Sequence, residues 1–183
     1  ELSAPPAKIW ALTHNIPVLQ PEVLDEKFLS ELRNYSPDVS IVVAYGKIIP
    51  EAAINLPPQG TLNVHYSLLP KYRGASPTES AILSGDTETG SSIQVMVHAL
   101  DAGPIIAEEK LSIGDDETTP ELRARLTELG ARMLVATLPN YLAGEITPRV
   151  QEGALATRAR KIAKEEGLLD IESGDPIQNY RKY

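Results

Sequence analysis

The stretch Pro37-Asp38-Val39-Ser40-Ile41-Val42-Val43-Ala44-Tyr45-Gly46 decides the fold class. Its middle is a nearly continuous β-branched run between turn residues, which predicts a strand buried on both faces. Such strands belong to parallel sheets covered by helices. Downstream, residues 50–55 read as a short helix. The turn Pro57-Pro58-Gln59-Gly60 then leads into a second sheet strand over 61–65. Upstream, residues 6–15 have helical spacing, with Ile9 and Leu12 on one side, and Ile16-Pro17-Val18-Leu19 predicts a short strand. Asp25 is placed to cap a helix running to about Arg33, with Phe28, Leu29 and Leu32 on one face.

The second half continues the alternation. Ser76 and Pro77 open a helix to Leu83, closed by Gly85-Asp86. Residues 92–98 and 105–113 alternate well enough to be half-buried strands. Thr118 or Thr119 caps a longer helix over 120–142, with Leu122, Leu126, Leu129, Met133 and Leu134 as its inner stripe. The tail from Gly144 is less regular, with a strand expected near 147–150 and a helix near 176–183. Strands interleaved with helices imply an α/β domain: a Rossmann-like, mostly parallel sheet with flanking helices. No opening strand with a glycine-rich turn stands before the first helix.

The composition narrows the chemistry. At 183 residues, 42% hydrophobic and 23% charged, the chain has ordinary globular make-up and is expected to bury a core. No apolar run approaches the roughly 20 residues that span a bilayer, and the first residues lack a signal-peptide pattern, so a soluble intracellular protein is expected. Zero cysteines exclude a disulfide scaffold, a thiolate nucleophile and a cysteine-ligated zinc. Three histidines far apart argue against a metal centre. A net charge of -8 argues against strong nucleic-acid binding by this chain alone. Reaction chemistry must therefore come from His, carboxylates, amides or backbone.

Three stretches supply such groups. In a strand alternate side chains share a face, so Asn63 and His65 point the same way at the carboxyl end of theirs, where open α/β sheets place ligands. An amide beside an imidazole can hydrogen-bond one carbonyl oxygen from two directions, as acyl transfer to an amine requires when that oxygen becomes negative. Histidine also suits proton movement at physiological pH. Taken alone, the Asn-X-His pair reads more readily as ordinary strand-end hydrogen bonding. The loop Ser67-Leu68-Leu69-Pro70-Lys71-Tyr72-Arg73-Gly74 then sets two leucines, expected to be exposed, before a basic cluster. It reads either as a loop pinned to the core or as the wall of a pocket for a flat, partly apolar ligand. Leu100-Asp101-Ala102-Gly103-Pro104 is a turn between two strands that brings Asp101 within reach of His65.

These stretches, with Arg73-Gly74-Ala75, Gly85-Asp86 and Glu88-Thr89-Gly90 in the same order and spacing, resemble the formyltetrahydrofolate-dependent formyltransferases. The likeness covers the whole chain. Ile16-Pro17-Val18-Leu19-Gln20-Pro21, residues 43–50, Ala156-Thr157 and the Lys161-Ile162, Lys164-Glu165 and Gly167 positions lean toward the branch that formylates the amine of initiator methionyl-tRNA. The resemblance implies a catalytic trio of Asn63, His65 and Asp101. It further implies a folate site at Tyr45, Gly46, Lys47, Ile48, Ala99 and Leu100, walled by Ser67, Leu68, Leu69 and Pro70. Formyltetrahydrofolate is the implied co-substrate, with no metal, no membrane, a monomer, and a cytoplasmic or organellar-matrix setting. Residues 1–150 would be the catalytic core and 151–183 a connector. The front of the domain and a smaller C-terminal β-barrel domain, expected to carry much of the tRNA contact, would lie outside the 183 residues.

Two other acceptors share the trio: a nucleotide-linked aminosugar and glycinamide ribonucleotide, the latter disfavoured by the length of the tail. A folate-binding fragment without turnover is the reading from another class. His14, His98 and Trp10 read as structural, and the acidic run 114–117 as suited to a helix N-terminus. Arg158, Arg160, Lys161 and Lys164 form a basic cluster that would be a solvated face or, with a tRNA substrate, a phosphate contact.

Overall fold

The computed structural model describes residues 4–169, 172 and 174–182. The chain divides into two compact units, Glu1–Tyr35 and Ser36–Tyr183. In the first, α1 (Pro6–Thr13) starts with proline at its first turn, and Trp10 stacks on the His14 ring with centroids 4.1 Å apart. Trp10 is thus a surface stacking residue, 58% exposed, and not a core one. Helix α2 (Glu26–Arg33) is capped as expected, the Asp25 carboxylate accepting from the Phe28 N–H at 3.0 Å. Residues 16–19 form no strand, and Pro17 removes one of the donors a ladder would need.

The second unit holds a four-stranded sheet in the order β1 (Ser40–Val43), β2 (Thr61–His65), β4 (Glu88–Val95), β5 (Ile105–Ser112). The short helix α3 (Glu51–Ile54) links β1 to β2, which run parallel with Val43 opposite Val64. β4 pairs antiparallel with both β2 and β5. The α/β class therefore stands, but the sheet is mixed and not mostly parallel. The physical reason at β4–β5 is the connection: residues 96–104 contain no crossover helix, and a link that short can only reverse the chain. β1 is also not buried on both faces. Ile41 and Val43 are 37% and 47% exposed, and β1 stands at the sheet edge, hydrogen-bonded to β2 alone among the described strands.

The long helix α5 (Thr119–Leu142) covers one face of the sheet. Thr118 and Glu121 cap it reciprocally, the Glu121 carboxylate accepting from the Thr118 N–H at 2.9 Å. Leu122, Leu126, Leu129 and Met133 meet Leu62, Val64 and Ile93 in the core, and each fully buried leucine contributes about 2 kcal/mol. Gly130 sits where the helix touches β2. A Cβ there would lie 2.6 Å from Val64 Cγ1, which outweighs the roughly 1 kcal/mol helix penalty of glycine. β4 begins at Glu88 and not at Ser92 as expected, because its first four residues pair with β5 although they are not apolar. Thr89, Gly90 and Ser91 are small and buried, and Ser91 Oγ donates to the Leu126 carbonyl of α5 at 3.2 Å.

Helix α4 (Pro77–Ser84) ends at Gly85 with φ 68. A second small cluster, Tyr72, Ala81 and Ala159, lies beside a two-stranded parallel ladder that the sequence reading missed: β3 (Arg73–Gly74) with β6 (Arg158–Ala159). The strand expected near 147–150 is a single bridge, Arg149 to Ile105. The final helix α6 spans Pro176–Lys182, and Tyr183 lies outside the described residues. No helix among the described residues is long and apolar enough to cross a membrane.

Candidate active site

Asn63 and His65 leave β2 on the same face, at the edge where the 44–48 segment also leaves the parallel neighbour β1. Asp101 arrives from the turn between β4 and β5. The Asn63 amide donates from Nδ2 to Asp101 Oδ1 at 3.3 Å, and His65 Nδ1 lies 3.8 Å from Asp101 Oδ2. The structure thus brings Asn63, His65 and Asp101 into one cluster. His65 is buried, and its Nε2 lies 2.9 Å from the Tyr72 carbonyl. A carbonyl can only accept, so Nε2 carries the hydrogen and Nδ1 is the nitrogen turned toward Asp101.

The Asp101 carboxylate is held on both oxygens. Oδ1 also accepts from Gln94 Nε2 at 2.8 Å, and Oδ2 accepts from the Gly74 N–H at 2.8 Å. Its backbone is left-handed, φ 47, a conformation uncommon for a non-glycine residue though better tolerated by aspartate than by most, and its surroundings hold it there. The surroundings here are two buried amides. Gln94 Oε1 accepts from the Gly103 N–H at 3.2 Å, while Gln151 Nε2 donates to the carbonyls of Asp101 and Gly103 at 2.9 and 2.6 Å. Gly103 is required by close approach, since a Cβ there would stand 1.7 Å from the Val95 carbonyl oxygen.

Sequence reasoning missed Gln94, Gln151, the Gly74 N–H and the Tyr72 carbonyl. Gln94 had a signal: a glutamine between Ile93 and Val95 in a buried strand needs a partner, and β4 pairs it across from Asn63. Gln151 had none, being 50 residues from Asp101 in sequence.

The residues expected around a ligand are distributed unevenly. Leu69 is 3% exposed and Ser67 is buried, its Oγ donating to the Lys71 carbonyl at 2.6 Å, so the pair of exposed leucines is not found. The loop is stitched to β4 by Ser92, whose Oγ donates to the Ser67 carbonyl at 2.7 Å and accepts from the Leu69 N–H at 3.1 Å. The Leu69–Pro70 peptide is cis. Leu68 and Pro70 are half-buried. Tyr45, Gly46, Lys47 and Ile48 form an open, exposed segment, with Ile48 92% exposed, and Ala99 and Leu100 are also exposed. Behind the loop, Asp86 accepts from Lys71 Nζ at 2.6 Å and from the Tyr72 hydroxyl at 2.8 Å. Partial burial pulls the Lys71 ammonium down, but Asp86 and Tyr72 together outweigh it and hold the group above its ordinary value.

Beside the Asp101 turn lies a cavity of ≈ 210 Å³ lined by Arg73, Ala99, Leu100, Ala102, Ala156, Thr157 and Arg158. Among the described residues no group of three or more His, Asp or Glu side chains is arranged to hold a metal ion.

Residues 3–138 match the family described as Formyl transferase. The chain is 46% identical over 171 residues to the methionyl-tRNA formyltransferase of Myxococcus xanthus, covering 93% of this chain and 55% of that one. It is 46% identical over 164 residues to that of Nitratidesulfovibrio vulgaris, covering 89% and 50%. The chain thus spans about half the length of the curated relatives it matches. Among solved structures, HypX from Aquifex aeolicus in complex with tetrahydrofolic acid superposes with a TM-score of 0.74 at 21% identity, over 84% of this chain and 26% of that one. At that identity the likeness speaks for the fold.

Proposed function

The chain belongs to the formyl transferase family, and from that premise we propose that its protein transfers a formyl group from formyltetrahydrofolate to the α-amine of methionyl-tRNA for translation initiation. The supporting observation is the convergence of Asn63, His65 and Asp101 at one sheet edge. The choice of acceptor rests on 43–46% identity to methionyl-tRNA formyltransferases.

The chemistry needs a stabilised oxyanion and a proton path. As the amine attacks the formyl carbon, the carbonyl oxygen becomes negative. The Asn63 amide has a second N–H beyond the one given to Asp101, and it donates to that oxygen together with protonated His65. Breaking the bond to the folate nitrogen requires a proton there, and the attacking amine must lose one. The Asp101 carboxylate takes the proton from the amine while the protonated His65 beside it gives its Nδ1 proton to the leaving nitrogen, and the proton on Asp101 then returns to His65, so no covalent enzyme intermediate is needed. Fixing Asp101 by Gln94, Gly74 and Gln151 sets the geometry in advance and lowers the reorganisation the step requires.

In this reading the backbone at Tyr45 to Ile48 and at Ala99 to Asp101 holds the pterin of the folate, and the Ser67 to Pro70 loop backs that site. Residues 1–150 act as the catalytic core, while 151–183 lead on as a connector that also closes the site through Gln151. The protein works as a monomer in the compartment of translation, cytoplasm or organellar matrix. The test supplies the intact protein with formyltetrahydrofolate and compares initiator methionyl-tRNA with a nucleotide-linked aminosugar, following release of the folate product. Formylation of the methionyl ester is expected, and formylation of the sugar alone would replace this acceptor.

A further inference from the structure

Arg73 and Arg158 stand opposite each other in the β3–β6 ladder, and both line the cavity beside Asp101. Like charges directly opposite across a strand pair are destabilising. Six other arginines are neutralised within the chain. Arg33, Arg123, Arg125, Arg132, Arg149 and Arg160 each form an ion pair with a carboxylate. Among the described residues Arg73 and Arg158 form none. Arg73 turns Nε and Nη2 to the neutral Gln151 Oε1, at 3.0 and 2.7 Å, and the exposed Arg158 guanidinium has no hydrogen bond to a described residue. In a chain of net charge -8, two facing arginines without a carboxylate are the arrangement an anion would complete.

The rest of the lining says which anion. Ala99, Ala102, Leu100 and Ala156 are apolar, and the Thr157 hydroxyl, which accepts from the Tyr72 N–H at 2.8 Å, carries one neutral donor, so the charges in the lining are the two arginines. Recognition therefore falls on the guanidinium groups, whose planar fork matches phosphate oxygens. Arg73 retains Nη1 and one further N–H for this purpose. The place is also suited to the reaction: Leu100 and Ala102 flank Asp101, and Gly74, which follows Arg73, donates to its carboxylate.

We propose that this cavity is the phosphate subsite of the amine-bearing acceptor, with Arg158 and Arg73 gripping phosphoester oxygens while the amine reaches the Asp101 edge. The assignment rests on the formyl-transfer reading above. The carboxylates of a folate tail share the same anion chemistry, and the test separates the two sources.

Arg158→Gln is the informative change because the side chain is exposed and outside the trio. With the intact protein, KM is measured for methionyl-adenosine carrying a 5′-phosphate and for the same compound without it. Loss of one charge-assisted phosphate contact should raise KM for the phosphorylated acceptor about tenfold more than for the other, and Arg158→Lys should recover part of the loss. Equal KM changes for the two acceptors would overturn the proposal. So would a change confined to the KM of polyglutamylated formyltetrahydrofolate, which would give the arginines to the folate. Equilibrium binding of adenosine 5′-monophosphate, expected to weaken about tenfold in Arg158→Gln, needs no turnover. Retention of that Arg158-dependent binding by a protein that formylates neither acceptor would sustain the subsite while removing the formyl-transfer reading. Equal binding by both proteins would remove the subsite.

Discussion

Gln94 and Asn63 face each other across the β2–β4 pairing, and both amides donate to one oxygen, Asp101 Oδ1, at 2.8 and 3.3 Å. The two have different tasks on the account above. Asn63 has a second N–H for a reacting oxygen, whereas Gln94 is closed at both ends, by Asp101 and by the Gly103 N–H. Gln94 is a positioning residue.

Gln94→Leu keeps the side chain's bulk and deletes both hydrogen bonds. A hydrogen bond to a charged group contributes about 1.5–3 kcal/mol, so kcat is expected to fall by about one to two decades. KM for formyltetrahydrofolate should change by less than about threefold, because the glutamine holds the proton path and not the ligand. Steady-state kinetics with circular dichroism as a fold control check this. An unchanged kcat would show that Asp101 keeps its geometry without Gln94.

A second prediction concerns the connector. The Arg160 guanidinium hydrogen-bonds the Glu166 carboxylate through both nitrogens, and the Ala163 N–H adds a third donor at 2.7 Å. These contacts lower the Glu166 carboxyl from its ordinary value near 4.5 to about 2. A carboxyl depressed on folding adds stability above its unfolded value and loses it as pH falls through the folded one. The 164–167 turn should therefore hold above about pH 4.5 and loosen between there and about pH 2. Carboxyl-carbon NMR should show Glu166 titrating near 2, and Arg160→Gln should return it toward the ordinary range.

What the sequence disclosed followed from local patterning. The Asp25 cap, the helix start at Thr118 or Thr119 and the α5 stripe of Leu122, Leu126, Leu129 and Met133 are short-range signals, and all appear in the structure. The direction of β4 was not visible, because pairing partners are chosen over long range and a β-branched run such as 39–44 serves an edge strand as well as a central one. Burial of Ser67 and Leu69 was also hidden, since it depends on Ser92 of a different strand. In the candidate site, Asn63, His65 and Asp101 were legible through their motifs. Gln151 and the two-residue β3–β6 ladder join positions 78 and 85 residues apart and leave no local pattern.

The most direct measurement of the central claim is single-turnover transfer from formyltetrahydrofolate to initiator methionyl-tRNA by the intact protein and by its Asn63→Ala and His65→Ala variants. Loss of an oxyanion donor raises the barrier by about 3 kcal/mol and loss of an acid-base group lowers the rate by roughly two to four decades, so each variant should slow transfer at least about a hundredfold with its fold retained. Near-normal transfer by either variant would remove that residue from the mechanism, and absence of transfer by the unaltered protein would contradict the account as a whole.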